Sequence, residues 1–167
     1  LTDEKDTIIT SDYDGRVVKV DLSSHKAHWE HPAGSFVFDL KTADLEADGT
    51  RETLLVTAAG ILKVLEADGS ERWTFESSLP LFNVAVGNFI GDDKKEIACG
   101  GIDRRVHFFT AEGVKLAQTE KVERLVHRLA AGDLAGGAHD ELLVIEARTI
   151  AHLIRLDEGH PETVWRR

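Results

Sequence analysis

Apolar and polar residues follow a short period along most of this chain. "FVFDLKTADL", from Phe36, alternates between the two classes, while "TLLVTA" and "ILKVL" are brief apolar runs. A period of two puts successive side chains on opposite faces, which is the mark of a strand. Turn-forming stretches divide the runs: "EADGT", "AAG" and "EADGS". No helical period survives more than two turns between these glycines, so the pattern predicts strands. The clearest segment is expected to hold four, at 35–45, 51–59, 61–67 and 71–77.

That segment recurs. The stretch from Phe36 aligns with the one from Pro80 at an offset of 44 residues: Phe38 with Phe82, Leu45 with Phe89, Glu52 with Glu96. Ala67-Asp68-Gly69 aligns with Ala111-Glu112-Gly113 in the same way. A third copy begins near Val126, with Asp133 and Glu141 lying 45 residues beyond Asn88 and Glu96, and Trp165 in the place of Trp73. The N-terminal stretch "DTIITSDYDGRVVKVDLSSHKAHWEHP" matches the last three strands of a copy, with Trp29 lying 44 residues before Trp73. Four antiparallel strands per repeat of this length make a propeller blade, which must stack on neighbours to bury its faces. The fold expected is therefore all-β: a β-propeller of four-stranded antiparallel blades, three of them full, plus three strands of a fourth. Residues 1–167 form one propeller region, divided into a partial blade 1–34 and blades 35–78, 79–122 and 123–167.

The strand lacking from the first blade is the innermost, which lines the channel. Propellers of such repeats commonly close with about six to eight blades. The chain is therefore expected to be a portion of a larger propeller, or a half that pairs with a protein partner, possible homo-oligomer included. A closed ring of four blades is the alternative. Starting at Leu1, it reads as a mature form or a piece of something larger.

Composition narrows the function classes. The 167 residues are 42% apolar, enough for a sizeable core, and carry a formal net charge of −10. An acidic surface argues against nucleic acid held through its phosphates. No run of about 18 apolar residues is present, so no membrane-spanning helix is expected. The one cysteine, Cys99 in "EIACGG", reads as a small buried hydrophobe.

Two groups of motifs carry a family likeness. "VVKVDLSSHKAHW" and "LKVLEADGSERW" resemble the third-to-fourth strand hairpin of PQQ-like propeller repeats. "ADLEADGTRETLLV" and "GNFIGDDKKEIACG" are similar to the loop of FG-GAP or VCBS-type repeats. The resemblance implies a propeller but no single activity, because such repeats occur in quinoprotein dehydrogenases, outer-membrane assembly lipoproteins, polysaccharide lyases and integrins. It also implies a periplasmic or secreted location.

The acidic loop is the main site candidate. Alternating acids on a short flexible segment suit a hard cation such as calcium. An EF-hand would require an acid at the position held by Leu55, and strands flank the loop, so that arrangement is excluded. The shorter FG-GAP pattern fits, giving Asp44, Glu46, Asp48 and Glu52 as metal ligands around Gly49. Its sister loops lose acids, to Ile90 in one and to Ala135 and Gly137 in the other. Glu52, Glu96 and Glu141 persist in all three copies and are expected to accept backbone N–H bonds from the preceding turn. His25, His28 and His31 cannot converge from one strand and make a poor zinc site. His127 is placed beside the channel, where the other copies have Phe38 and Phe82. Trp29, Trp73 and Trp165 are expected to wedge between blades, with Leu116 taking that role in the remaining copy. "GGIDRRVHFF" reads as a solvated turn.

The function expected is a non-catalytic binding or scaffold module, with no cofactor other than calcium. The alternative is a fragment of a propeller enzyme, quinoprotein-like or a polysaccharide lyase, whose active site needs further blades.

Overall fold

The computed structural model describes residues 6–147 and 150–167. The described chain holds fifteen strands in four antiparallel sheets. The first sheet has three strands, β1 (Thr7–Ser11), β2 (Arg16–Asp21) and β3 (Ala27–Pro32). The second runs β4 (Val37–Ala43), β5 (Glu52–Thr57), β6 (Ile61–Leu65) and β7 (Glu71–Glu76). The third is β8 (Leu81–Gly87), β9 (Glu96–Gly101), β10 (Val106–Phe109) and β11 (Lys115–Gln118). The fourth is β12 (Val126–Gly132), β13 (Glu141–Glu146), β14 (Ile150–Asp157) and β15 (His160–Arg166). In each sheet the spatial order follows the chain, so every connection is a hairpin. These sheets are propeller blades, and the predicted strands of the second blade are trimmed by one or two residues at most ends.

Burial follows from stacking. The second strand of a full blade lies between neighbouring blades, and β5 and β9 are buried along their whole length. That is why "ETLLVT" and "EIACGG" read as unbroken runs instead of alternating. Each of three hydrophobic cores lies between consecutive blades. Ile9, Val17, Leu55 and Leu65 join the first to the second. Leu54, Val64, Val84 and Phe109 join the second to the third, and Phe89, Phe108, Leu142 and Ile154 join the third to the fourth. Among the described residues no such core joins the fourth blade to the first, so the blades form an open arc.

Polar links repeat along the arc. Asp39 accepts the Val84 N–H at 3.2 Å, and Asn83, its counterpart, accepts the Leu129 N–H at 3.1 Å. The Lys95 N–H donates to the Leu45 carbonyl at 2.9 Å, and Asp140 N–H to the Asn88 carbonyl at 2.7 Å. The inner strands β8 and β12 thus each have a polar tie to the blade before, which matters because buried backbone groups left unpaired are costly.

Trp29 and Trp73 staple blades together. The indole N–H of Trp29 donates to Ala67 carbonyl oxygen at 3.0 Å, and that of Trp73 to Ala111 carbonyl oxygen at 2.8 Å. Each acceptor lies in the turn between the third and fourth strands of the next blade. Gly69 and Gly113 close those turns at φ values of 85°. A Cβ on Gly69 would come within 2.6 Å of the Trp29 ring, and one on Gly113 within 2.7 Å of the Trp73 ring. Glycine is required twice over, by its dihedral and by the ring above it. Trp165 faces Leu153 as Trp73 faces Val64, yet it is 47% exposed. The residue at this register in the third blade is Ala117, opposite Phe108, and not Leu116. The offset of 44 residues puts Ala117 at the place of Trp73 and Leu116 at that of Arg72, and both blades carry the same β-bulge there.

Candidate functional site

The acidic loop joins β4 to β5. Asp44 accepts the N–H groups of Asp48 at 3.1 Å and Gly49 at 2.9 Å, and Asp48 accepts Thr50 N–H at 2.7 Å. These carboxylates close their own turn. Glu46 points the other way, to the Arg72 guanidinium at 3.3 Å and the Lys94 ammonium at 3.8 Å. Glu52 is buried, accepting the Leu45 N–H at 3.0 Å and an Arg72 N–H at 3.0 Å. Calcium needs about six to eight oxygens around one centre. As folded, Asp44, Glu46, Asp48 and Glu52 face separate partners and do not fit that demand. No group of three or more His, Cys, Asp or Glu among the described residues could hold a metal ion. The Arg72 guanidinium occupies the space between Glu46 and Glu52, and also takes a two-pronged bond to Glu66 at 2.6 and 2.8 Å.

The recurring glutamates brace their turns. Glu96 accepts the N–H groups of Phe89 at 2.7 Å and Ile90 at 3.1 Å, and Glu141 those of Leu134 at 3.0 Å and Ala135 at 2.9 Å. Their charge balance differs. Burial pushes the Glu52 carboxyl up, with Leu45 N–H and Arg72 opposing it. Glu96 is pushed up by burial too, and no arginine stands beside it because Leu116 sits where Arg72 does in the second blade. At Glu141 burial again raises the carboxyl, but Arg155 and the two amides outweigh it, so its pKa falls below the usual range. Arg155 comes from β14, a different strand position from that of Arg72.

The histidines of "SHKAHWEHP" go separate ways. His31 faces the Gly69 carbonyl through Nδ1 at 3.1 Å and the Lys63 ammonium through Nε2 at 3.3 Å. Those partners suit a neutral ring, and burial lowers its pKa in the same direction. His28 lies 3.9 Å from Asp21, and His25 holds a turn at φ 57°. The "GGIDRRVHFF" turn is less solvated than expected: Asp103 holds His107 at 2.5 Å, and Arg105 donates to the Thr119 carbonyl at 2.6 Å. Cys99 is fully buried and burial pushes its thiol up, which leaves it unreactive.

The concave side of the arc, where the inner strands β4, β8 and β12 come together, carries the features that bracing does not consume. At the N-terminal ends of these strands runs a line of rings. Tyr13 meets Phe36 at 5.4 Å between centroids, Phe36 meets Phe38 at 5.3 Å, and Phe38 meets Phe82 at 4.9 Å. Tyr13 is 83% exposed and Phe38 44%. Exposed rings in contact with one another mark a binding surface more often than chance. The line ends in a hollow of about 280 Å³ lined by Phe38, Phe82, Asn83, His127 and Arg128. Here the repeat breaks. Phe38-Asp39 and Phe82-Asn83 become His127-Arg128, and an arginine cannot accept the N–H that Asp39 and Asn83 accept. The ladder was not visible in the sequence beyond Phe38, Phe82 and His127, because Tyr13 and Phe36 belong to connections whose positions no periodicity reveals.

Stacked four-stranded blades around a channel define a β-propeller. The sequence profile of the lambda-carrageenase beta-propeller domain matches residues 7–124. The chain belongs to that family. Lambda-carrageenases of Pseudoalteromonas sp and of Pseudoalteromonas carrageenovora are each 32% identical to it over 117 residues. That alignment covers 68% of this chain and 12% of each enzyme, so the chain corresponds to a small part of those relatives. Among solved structures, Saccharomyces cerevisiae Sqt1 superposes with a TM-score of 0.81 at 14% identity, over 97% of this chain and 48% of that one. BBS1N in complex with ARL6DN superposes with a TM-score of 0.74 at 11% identity, over 96% of this chain and 49% of that one. At those identities the likeness is one of fold. The family shown is the carrageenase propeller, which bears out the propeller that the PQQ-like and FG-GAP motif likeness implied.

Proposed function

We propose that this chain is the polysaccharide-holding part of a larger carrageenase-type propeller, and that the aromatic ladder at its channel mouth takes the glycan. One observation carries the reading: Tyr13, Phe36 and Phe38, all exposed, form a continuous row of rings that runs on to the half-buried Phe82. Flat rings offer apolar area to the faces of sugar rings, and His127 with Arg128 at the end supplies hydrogen-bond donors for polar substituents. Of the two functions the sequence left open, a scaffold and a polysaccharide enzyme part, the lambda-carrageenase relatives favour the second. The chain's own contribution is binding, since Glu52, Glu96 and Glu141 are engaged in bracing their turns. A polysaccharide of this kind is met outside the cytoplasm, which agrees with an extracytoplasmic site of action.

The test is binding of lambda-carrageenan against an uncharged galactan, by affinity electrophoresis and calorimetry. Retardation by lambda-carrageenan that is lost in Phe38→Ala/Phe82→Ala, with melting unchanged, is the expected result. Equal retardation of the variant, or none of the parent chain, overturns the reading.

A protein partner is supported by a separate observation, the exposed Trp165 at the staple position of the fourth blade. Its geometry calls for a turn with glycine at the place of Gly69. In the first blade that place holds His25, whose Cβ would stand where the indole packs. This favours a further, different blade over a head-to-tail second copy.

A further inference from the structure

The opposite end of the channel carries a second feature. Lys41, Thr42, Ala43, Asp44 and Arg51 from the second blade meet Lys95 from the third, around a cavity of about 380 Å³ that residues of β8 and β12 also line. Arg51 and Lys95 occupy the same repeat position, just before the buried Glu52 and Glu96, and so lie on one rim. Three cations line this cavity in a chain whose net charge is −10. Among the described residues, two carboxylates near the cavity also serve backbone N–H groups. Asp44 accepts two amides of its own turn, and Asp39, which lies 3.8 Å from Lys41, accepts the N–H groups of Leu40 and Val84. Arg51 is held in place by two bonds to Thr42, at 2.9 Å to the carbonyl and 3.3 Å to the hydroxyl, which fixes its guanidinium beside the cavity. Asp140, at the same repeat position in the fourth blade, is turned to the Asn88 N–H at 2.9 Å.

We propose that this cavity is a subsite for a tetrahedral oxyanion, a sulfate or phosphate group, gripped by Lys41, Arg51 and Lys95. The proposal rests on the channel being the ligand-bearing face. Ammonium and guanidinium groups form the strongest class of hydrogen bonds with such oxygens, and the low-dielectric walls of a channel concentrate their field. The anion comes either free or as a substituent on a polysaccharide that also covers the aromatic mouth.

Inorganic sulfate, titrated into 15N-labelled protein at constant ionic strength against chloride, separates these cases. Saturating shifts are expected at the amides of Lys41, Thr42 and Lys95, without change at Phe38 and Phe82, and a loss of at least tenfold in affinity in Lys41→Gln/Lys95→Gln. Melting of that variant should match the parent, since both lysines are exposed. Equal shifts with chloride, shifts scattered over the surface, or unaltered sulfate binding in the variant overturn the subsite. A sulfated galactan oligosaccharide binding at least tenfold tighter than sulfate, with shifts at both ends of the channel, assigns the anion to the glycan. Sulfate alone matching the oligosaccharide assigns a free anion. Phe38→Ala/Phe82→Ala should weaken the oligosaccharide and leave sulfate untouched, so failure at the mouth is distinct from failure at the cavity.

Discussion

Replacing Gly113 by alanine tests the staple between the second and third blades. The residue sits at φ 85°, where an L side chain costs about 1–2 kcal/mol. Its new Cβ would lie 2.7 Å from Cδ2 and 2.8 Å from Cγ of Trp73, well inside normal contact. The ring must shift, at an overpacking cost of about 1–3 kcal/mol. It also weakens the 2.8 Å bond to the Ala111 carbonyl, worth about 1 kcal/mol. The sum is a loss of about 3–6 kcal/mol. Gly136 provides the control, because it has φ 73° and nothing within 4 Å of a Cβ, so Gly136→Ala bears only the backbone cost of about 1–2 kcal/mol. Urea unfolding of both variants, with and without Trp73→Ala, measures the difference. In the Trp73→Ala background Gly113→Ala should cost no more than Gly136→Ala. If the two glycine variants differ by less than about 0.5 kcal/mol beside an intact Trp73, or if a large difference outlives the tryptophan, the staple is not what fixes the glycine.

Further expectations concern the buried charges. The folded pKa of Glu96 is raised above its ordinary 4.5, so ionising it works against folding, and stability falls as pH rises through the raised value. Glu96→Gln should therefore gain on the parent in melting temperature between pH 4.5 and neutrality. Glu141 has a lowered pKa, so its contribution is present above 4.5 and lost as pH falls through the folded value; Glu141→Gln should be destabilised at neutral pH and converge on the parent in acid. Identical pH profiles for the two variants would refute both assignments. Arg72→Leu leaves Glu52 buried without its cation and should cost about 3 kcal/mol in urea unfolding, whereas a loss below about 0.5 kcal/mol would mean the carboxylate finds other donors. Since Glu46 and Glu52 face Arg72, millimolar calcium should produce no saturable heat and no rise in melting temperature; a saturable rise would show that the loop re-aims its acids.

The blade pattern was legible because it rests on local signals. Strand alternation, turn glycines and a constant offset survive without knowledge of the third dimension. The recurrent glutamates were legible for the same reason, as their acceptor role is satisfied within seven residues: Leu45 to Glu52, Phe89 to Glu96, Leu134 to Glu141. What escaped was mostly non-local. Arg72 lies on the fourth strand of its blade, and nothing in "GSERW" announces that it will meet Glu52 and Glu46 across the sheet. The expected tryptophan counterpart, Leu116, lies one residue short: at the constant offset of 44 the place of Trp73 is held by Ala117 and that of Arg72 by Leu116. Lys41, Arg51 and Lys95 come together from two blades. The clue available was that Arg51 and Lys95 both precede an invariantly placed glutamate within the repeat.

The staples also bear on how this chain is made. Each joins residues 38 positions apart, and each points from an earlier blade to a later one. A ribosome delivering the chain from its N-terminus releases Trp29 well before the turn at Ala67, and Trp73 well before that at Ala111. During synthesis the first and second blades in turn carry an unlatched indole, each fastened only when the third-to-fourth strand hairpin of the next blade emerges. Assembly becomes a zipper with a fixed lag and a fixed direction. A pause in translation within such an interval would hold one wet tryptophan open to chaperones and proteases, at a place set by the codon position.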